Sequence, residues 1–276
     1  MSGPSAVAQE AGIERLSPAR AVSFDDSWYA AVDPGHFWMQ WRFRVLRQVL
    51  DRLGARPARV LDVGGGHGVL RAQLEAALPC AVDIADVNAA ALAACVPGRG
   101  RTLLYDATER RADLLGAYDA VLLFDVIEHV ERPAALLAAA AAHLRPAGLL
   151  LVNVPALPGL YSAFDAAIGH HRRYTRASLR AAIAEALGPA EVPVLRYWGA
   201  AMLPALAARR LVLGRRPADA ADRARLVRQG VSAPNRFVEA ALRLMMRAET
   251  ACRAAPPLGT SAMAAVRVGG AAEEAG

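Results

Sequence analysis

Short apolar runs alternate with segments of helical periodicity through most of the chain. The runs are bounded by glycine, proline or aspartate, and in the segments between them apolar residues recur every three or four positions. The predicted strands are residues 60–63, 80–85, 102–105, 120–124, 148–155 and 192–197, and the predicted helices are residues 42–53, 70–78, 134–145 and 176–187. This alternation predicts an α/β fold, with a doubly wound, mostly parallel sheet and helices on both faces.

The two ends of the chain have a different pattern. Residues 1–20 are rich in Ala, Ser, Gly and Pro, which predicts a frayed terminus. The aromatic segment 28–41 follows and carries three of the four tryptophans. Near the other end, residues 202–216 and 235–254 have helical periodicity. A short strand is predicted at 264–268, followed by eight disordered residues.

These differences predict three regions. They are an N-terminal tail with an aromatic lid (1–45), a core (46–198) that contains an insert (155–175), and a C-terminal helical extension and tail (199–276).

A glycine-rich turn follows the first core strand. Asp62 ends that strand, and Gly64, Gly66 and Gly68 allow the backbone to turn tightly and approach a ligand closely. The N–H groups of the next helix then face that ligand. A dinucleotide fingerprint would need a third glycine where Val69 stands, which argues against a nicotinamide dehydrogenase.

Acidic residues also follow the next two strands. An acidic residue after the second strand can accept hydrogen bonds from the two ribose hydroxyls of a nucleotide. Asp86 is our choice for this position and Asp83 is the alternative, although a helix N-cap would also explain either residue. Asp106 ends the third strand, where an aspartate is by itself typical of a turn.

Four segments, residues 60–70, 86–92, 105–107 and 118–130, resemble the class I methyltransferases that use S-adenosylmethionine. The turn reads D-x-G-x-G-x-G, residues 86–92 match D-[ilv]-[sn]-x-x-x-L, and residues 118–130 resemble F-D-x-[iv]…[lv]-E-H-[vl]. The resemblance implies S-adenosylmethionine as cofactor and S-adenosylhomocysteine as product. It also implies that Asp106 accepts the adenine amino group. The implied cofactor residues are Asp62, Gly64, Gly66, Gly68, Asp86, Val87, Asp106, Ala107, Phe124 and Trp38.

The aromatic segment has two interpretations. Relatives carry a similar His-Phe-Trp segment that commonly lies over the cofactor, and Phe37 and Trp38 occupy the matching positions. Rings over a ligand exclude water and attract cations. The same rings would also suit the core, and we leave both interpretations open for Phe37 and Trp38. For Trp41 the core is the better interpretation.

The insert carries a second signature. Residues 169–175, Gly-His-His-Arg-Arg-Tyr-Thr, resemble a bacterial type 11/12-like branch of the superfamily, also called methyltransferase domain 23. Its position across the ends of strands 4 and 5 implies contact with the methyl acceptor. The candidate acceptor-binding residues are Asp165, His171, Arg172 and Tyr174. Arginine–carboxylate pairs that hold the insert in place are the alternative, and for Arg172 and Arg173 we favour that structural role.

Two histidines are candidates for the general base. His129 and His170 both belong to segments expected at the cavity mouth, and an imidazole titrates near neutral pH. His129 could instead be a structural partner of Glu128. We predict no metal site, because two adjacent residues on a helix point about 100° apart.

Composition and charge narrow the possible partners. The net charge is +6, but all 32 basic residues are arginines and they are scattered, so nucleic-acid binding is not expected. A nucleic-acid amino-methyltransferase would also carry [ND]-P-P-[YF] where residues 124–127 read Phe-Asp-Val-Ile. The three cysteines form no disulfide framework, and we find no signal peptide and no membrane span. We therefore expect a cytoplasmic protein. For residues 202–216 we favour a helix packed over the acceptor pocket, and peripheral membrane contact is the alternative. The apolar stripe of residues 235–254 is typical of a core or homodimer contact.

The predicted function is methyl transfer to an oxygen or nitrogen, rather than a carbon, of a small molecule. Natural products, sugars and glycan intermediates are the acceptor classes that the resemblance implies. The alternatives are a non-catalytic cofactor-binding scaffold of the same fold and a nucleic-acid methyltransferase.

Overall fold

The computed structural model describes residues 12–20, 34–214, 236–252 and 254–269. Within them, one sheet has eight strands in the order β1-β4-β3-β2-β5-β6-β8-β7. Neighbouring strands are parallel except at β8, which is antiparallel to both β6 and β7. The strands are β1 Ile13–Arg15, β2 Arg59–Val63, β3 Ala81–Asp86, β4 Thr102–Leu104, β5 Tyr118–Phe124, β6 Leu144–Pro155, β7 Glu191–Trp198 and β8 Ser261–Arg267.

Helices lie on both faces of this sheet. They are α1 Phe37–Arg52, α2 Val69–Ala77, α3 Ala89–Ala93, α4 Pro133–Ala141, α5 Ala163–Ala167, α6 Arg176–Leu187, α7 Leu203–Leu213 and α8 Arg236–Ala251. The doubly wound, mostly parallel sheet predicted from the sequence is confirmed. Among the described helices, none is long and apolar enough to cross a membrane.

The core is divided between the two faces of the sheet. Successive side chains of a strand point to opposite faces, so the mostly apolar central strands bury residues on both sides. In β2, Leu61 belongs to the apolar cluster on one face and Val60 to the cluster on the other. The second cluster also contains Trp41 and Trp198, both of them fully buried. Trp41 therefore lies in the core, as predicted.

The N-terminal segment differs from the prediction. The frayed terminus predicted for residues 1–20 is wrong for residues 12–20, because β1 pairs in parallel with β4 and extends the sheet. The predicted boundary between residues 45 and 46 falls within helix α1. Residues 21–33, which include Trp28 and the first six residues of the aromatic segment 28–41, lie outside the described residues.

The C-terminal segment contributes to the sheet as well as to the surface. Strand β8 lies between β6 and β7, so the sheet includes residues that we had placed outside the core. Helix α8 buries Leu242 and Met246 and leaves Leu244 exposed. Most of the predicted disordered tail, residues 270–276, lies outside the described residues, as does the segment 215–235.

Candidate active site

A cavity of about 970 Å³ opens at the carboxyl ends of the parallel strands. Ligands of open α/β sheets bind at this edge, because the loops after neighbouring strands converge there. The loops after β2, β3 and β4 line one half of the cavity, which we call the cofactor half. The segments after β5 and β6, together with α5 and α7, line the other half, which we call the acceptor half.

The glycine turn forms the floor of the cofactor half. Gly64, Gly65 and Gly66 line the cavity, and a Cβ atom on Gly65 would lie 2.7 Å from Oδ2 of Asp62. A side chain at Gly65 would therefore clash with Asp62, and the glycine keeps the backbone of the turn close to the cavity. Gly68, also predicted to bind the cofactor, is the N-cap of α2 and does not border the cavity, and a Cβ atom there would lie 2.8 Å from Sγ of Cys95.

Carboxylates line the wall above this floor. Asp62, Asp86 and Asp106 all border the cavity and are buried. Burial, only partly offset by the charge of Arg42, raises the pKa of Asp62 to about 7. Burial also raises the pKa of Asp86, although the backbone N–H groups of Asn88 and Gly66 hydrogen-bond it. Desolvated carboxylates of this kind are suited to a ligand that carries hydrogen-bond donors or positive charge.

The N-terminal segment supports Asp106 from outside the sheet. Ser17 Oγ accepts a hydrogen bond from the Asp106 backbone N–H at 2.9 Å and donates one to Glu109. Arg20 forms an ion pair with Asp106 at 2.7 Å and itself borders the cavity. The Asp106 side chain also caps the following turn through the backbone N–H of Thr108, so the turn interpretation describes part of its role.

Rings at the start of α1 close the cavity on another side. Phe37 and Trp38 both border it, and the Trp38 ring packs against Trp198 with centroids 4.6 Å apart. The two interpretations of this segment therefore describe the same rings, which belong to the core on one side and to the cavity wall on the other.

A polar network links this wall to the sheet, and the sequence analysis missed it. Asp125 follows β5 with a φ of +58°, a conformation rare for a residue with a side chain and often found at functional sites. Its carboxylate accepts hydrogen bonds from Arg42 Nη1 and Asn153 Nδ2, both at 2.7 Å. Asn153 in turn accepts a hydrogen bond from the Trp198 indole at 2.8 Å. No spacing rule connects these positions, because four different elements supply them.

Glu128, His129 and His170 meet in the acceptor half. Their potential ligand atoms all lie within 4.8 Å of one another, and the two imidazole rings are 4.7 Å apart. The sequence analysis predicted no metal site because adjacent helical residues diverge, but Glu128 and His129 lie on a single 3₁₀ turn and the third group comes from the insert. The sequence placed both histidines at the cavity mouth, but it did not predict that they and Glu128 meet in one cluster.

Burial keeps the two histidines of this cluster uncharged. Desolvation, with a smaller contribution from His170, lowers the pKa of His129 to about 3. Desolvation also lowers the pKa of His170, although Asp165 opposes that shift. Desolvation and the nearby Asp125 raise the pKa of Glu128 well above its usual value. Neutral imidazoles can accept a proton or bind a metal ion, whereas imidazolium groups can do neither.

The predicted acceptor-binding residues of the insert lie behind this cluster and do not border the cavity. Asp165 is fully buried and accepts hydrogen bonds from His170 and Arg173. Burial alone would raise the pKa of Asp165, but these two partners outweigh it and lower the pKa. Arg173 forms the structural pair that we favoured and also borders the cavity.

The other three insert residues make backbone contacts. The Tyr174 hydroxyl donates to the Ile127 carbonyl at 3.3 Å, and Arg172 donates to the Glu131 carbonyl at 3.2 Å. The His171 side chain is exposed, and its backbone N–H donates to the Glu128 carbonyl. These contacts fix the turn that carries Glu128.

Helix α7 covers the acceptor half. Met202, just before the helix, and Leu206 and Arg209 within it border the cavity. The helix therefore packs over the pocket, in agreement with the packed-helix interpretation of residues 202–216. The Arg209 guanidinium lies 4.1 Å from the centre of the Phe164 ring, and burial lowers its pKa to about 10. The result is a pocket with apolar walls and a few charged groups.

Fold and site together are those of an α/β protein with one ligand cavity at the carboxyl ends of its strands, lined by carboxylates in one half and mainly by apolar side chains in the other. Residues 38–188, more than half of the 276-residue chain, match the methyltransferase domain family. The chain belongs to this family, and its fold is that of the class I methyltransferases that use S-adenosylmethionine.

One curated relative is similar over part of the chain. A ubiquinone biosynthesis O-methyltransferase from Xanthomonas axonopodis pv. citri (strain 306) is 34% identical over 113 residues, which are 39% of this chain and 47% of that protein. The chain therefore matches about half the length of this relative.

Solved structures are similar over most of the chain. The plantazolicin methyltransferase BpumL, in complex with a monoazolic desmethylPZN analog and S-adenosylhomocysteine, has a TM-score of 0.54 at 12% identity and covers 89% of this chain and 88% of its own. A chain of the Haloferax volcanii complex between the Trm112 methyltransferase activator and a methyltransferase has a TM-score of 0.55 at 16% identity, with 89% and 97% covered. The [4+2]-cyclase SpnF has a TM-score of 0.52 at 16% identity, with 86% and 85% covered. At these identities the similarity shows the fold alone.

Proposed function

We propose that this protein transfers a methyl group from S-adenosylmethionine to an oxygen or nitrogen of a small molecule held in the acceptor half. The observation that carries the proposal is that one continuous cavity contains both the carboxylate-lined cofactor half and the Glu128–His129–His170 cluster. The distance over which a methyl group moves is short, so both pockets must share one space.

The polar groups that line the cofactor half fit S-adenosylmethionine. S-adenosylmethionine carries hydrogen-bond donors at its ribose hydroxyls and adenine amino group, and Asp86 and Asp106 offer acceptors for them. Gly64 and Gly66 offer backbone close to the ligand, and the apolar contacts would come from Val87, Ala107, Phe124 and Trp38, which all border the cavity.

The acceptor half suits a small molecule better than a nucleic acid. Helices α5 and α7 close over it, and Phe164, Ile168 and Leu206 make its walls apolar. A polymeric phosphate backbone would need an open basic groove rather than a covered pocket. The name of the O-methyltransferase relative supports an oxygen acceptor.

The residues of the Glu128–His129–His170 cluster would assist the loss of the acceptor's proton. When bound, the cofactor supplies a methyl group that its sulfonium already activates. What remains for the protein is to orient the acceptor, exclude water and assist loss of the acceptor proton. His129 and His170 border the cavity at the place where that proton would leave, and Asp165 holds His170 in position.

The test is methyl transfer from labelled S-adenosylmethionine to a panel of phenols, sugars, amines and RNA. We expect transfer to a small molecule. We also expect that His170→Ala lowers turnover at least tenfold while the affinity for S-adenosylhomocysteine stays unchanged, because an assisted proton transfer adds roughly 10²–10⁴-fold. The matched control is His171→Ala, which changes an exposed neighbour outside the cavity. Transfer to RNA alone, or full turnover in His170→Ala, would contradict the proposal.

A further inference from the structure

The side chain of Glu128 has an arrangement that its fold alone does not explain. It is 0% exposed, and neither carboxylate oxygen has a hydrogen-bond partner among the residues that the structure describes. A buried carboxylate is costly unless another group compensates it. Protonation, which the raised pKa of Glu128 favours, neutralises the group in the ion-free protein, and a bound cation would replace that proton. The two unpartnered oxygens therefore point to a cationic ligand at Glu128.

Glu128 and His170 have the spacing of two ligands to one ion. His170 Nε2 lies 3.7 Å from Glu128 Oε1, too far for a hydrogen bond. Two atoms that each lie about 2.1 Å from one ion, roughly 110–120° apart, are separated by about 3.4–3.6 Å. The ligand atom of His129 also falls within the same 4.8 Å cluster.

Both histidines are oriented as metal-binding histidines commonly are. His170 Nδ1 hydrogen-bonds Oδ1 of Asp165 at 3.1 Å, which directs Nε2 toward Glu128. His129 hydrogen-bonds the backbone of Gly169, which fixes its ring. A carboxylate or carbonyl behind each imidazole is the usual support for a metal ligand.

The nearest arginines already have partners. Arg173 Nε donates to Asp165 at 2.7 Å and its Nη1 donates to the Ala156 carbonyl at 3.1 Å, whereas Arg42 pairs with Asp125. Neither hydrogen-bonds Glu128, so the position between Glu128 and the two imidazoles is left to a cation.

We propose that Glu128, His129 and His170 bind a divalent transition-metal ion whose remaining coordination positions face the acceptor half. Two imidazoles and one carboxylate are a donor set that Zn²⁺ and related first-row ions accept. The proposal deepens the proposed function, on which it rests for the presence of an acceptor in that half. It assigns His170 the role of a ligand, so that the ion and not an imidazole promotes loss of the proton.

The chemistry of the step then balances as follows. The acceptor hydroxyl oxygen coordinates the ion, which favours its ionisation, and the released proton goes to water. A lone pair of that oxygen forms the new C–O bond. The C–S bond breaks and its electron pair stays on sulfur, which leaves S-adenosylhomocysteine.

The first experiment measures ion binding without any acceptor. Calorimetric titration of Zn²⁺ and of Mn²⁺ into chelator-treated full-length protein should give one ion per chain. Glu128→Gln removes a charged ligand but keeps the shape, and we expect at least a tenfold loss of ion affinity. The control is Glu185→Gln, which makes the same chemical change at an exposed position of α6 outside the cluster and should leave the ion affinity unchanged. An equal affinity in Glu128→Gln, or binding lost in the control, would overturn the site.

The second experiment needs no variant, because Glu128→Gln could fail to fold. X-ray absorption of the Zn²⁺-loaded wild type should show two imidazole ligands, and a spectrum without imidazole would overturn the proposal. Methyl transfer that persists after complete chelation would also overturn it and leave the proposed function intact. An ion bound at this site in a protein that methylates none of the acceptors would instead overturn the proposed function and support the ion site.

Discussion

At the residue scale, Asp83 and Asp86 show how position decides the role of the same side chain. Asp83 accepts hydrogen bonds from the Tyr118 hydroxyl at 2.8 Å and from the Arg101 backbone N–H at 2.7 Å. Asp86, at the end of the same strand, borders the cavity beside Gly66. In the sequence, Asp86 was preferred as the ribose-binding residue only because Leu92 follows it at the family spacing. In the structure the two residues differ in their surroundings, since Asp86 borders the cavity and Asp83 bonds to the protein itself.

This separation predicts opposite effects for two matched substitutions. Asp86→Ala should lower the affinity for S-adenosylhomocysteine about tenfold or more, because the ribose contacts are lost. Asp83→Ala should leave that affinity unchanged but lower the free energy of unfolding by about 1–3 kcal/mol, because two buried donors lose their acceptor. Calorimetric titration and urea unfolding of both variants measure the two quantities. An affinity loss in Asp83→Ala alone would assign the ribose to Asp83.

At the element scale, the glycine turn depends on a neighbouring loop as well as on its own backbone. Gly64 has a φ of +74°, and a Cβ atom there would lie 2.6 Å from Cγ2 of Val126, in the loop that leads to Glu128. The turn after β2 and the loop after β5 are therefore packed against each other. A side chain at Gly64 would displace both.

Two glycine variants separate this packing from backbone strain. Gly64→Ala should lower the affinity for S-adenosylhomocysteine at least tenfold, because the loop after β2 must move. Gly54→Ala has a similar φ of +62° but meets no atom within 4 Å, so it should lower stability by about 1 kcal/mol and leave the affinity unchanged. Titration calorimetry and urea unfolding are again the measurements. Equal affinity in the two variants would show that the turn tolerates a side chain.

The insert, residues 155–175, is the element whose observed role differs most from the predicted one. Its polar residues predicted a surface for the acceptor, yet Asp165, Arg172 and Tyr174 bond to the protein itself. His170 and Arg173 border the cavity. The signature therefore describes a support for the cluster as much as a binding surface.

At the scale of the whole molecule, the sheet is completed from the end of the chain. Strand β8 pairs with β6 over residues 149–155 and with β7 on its other edge, and its middle residues are fully buried. Without β8, the edges of β6 and β7 and two apolar faces would be exposed to water.

A truncation tests this dependence. Removal of residues 259–276 should abolish cooperative urea unfolding, because β8 is lost. Removal of residues 270–276 leaves every described strand in place and should preserve both the unfolding midpoint and binding of S-adenosylhomocysteine. Far-UV circular dichroism during urea titration distinguishes the two. A folded protein after the longer truncation would show that β6 and β7 can close the sheet by themselves.

The sequence by itself determined the local features. Alternating apolar runs and helical segments defined the strands and helices, because each pattern reflects burial on one or both faces of a single element. Glycines and carboxylates at strand ends located the cofactor half, because the ends of parallel strands share one edge.

Only the tertiary structure decided which distant groups meet. The Asp125–Arg42–Asn153 network, the position of β8 and the meeting of His170 with Glu128 and His129 all join residues far apart in the chain. Contacts of this kind depend on how elements pack, and no local period encodes them. The desolvation that shifts the pKa values of Asp62, Glu128 and His129 has the same origin, since burial is a property of the assembled molecule.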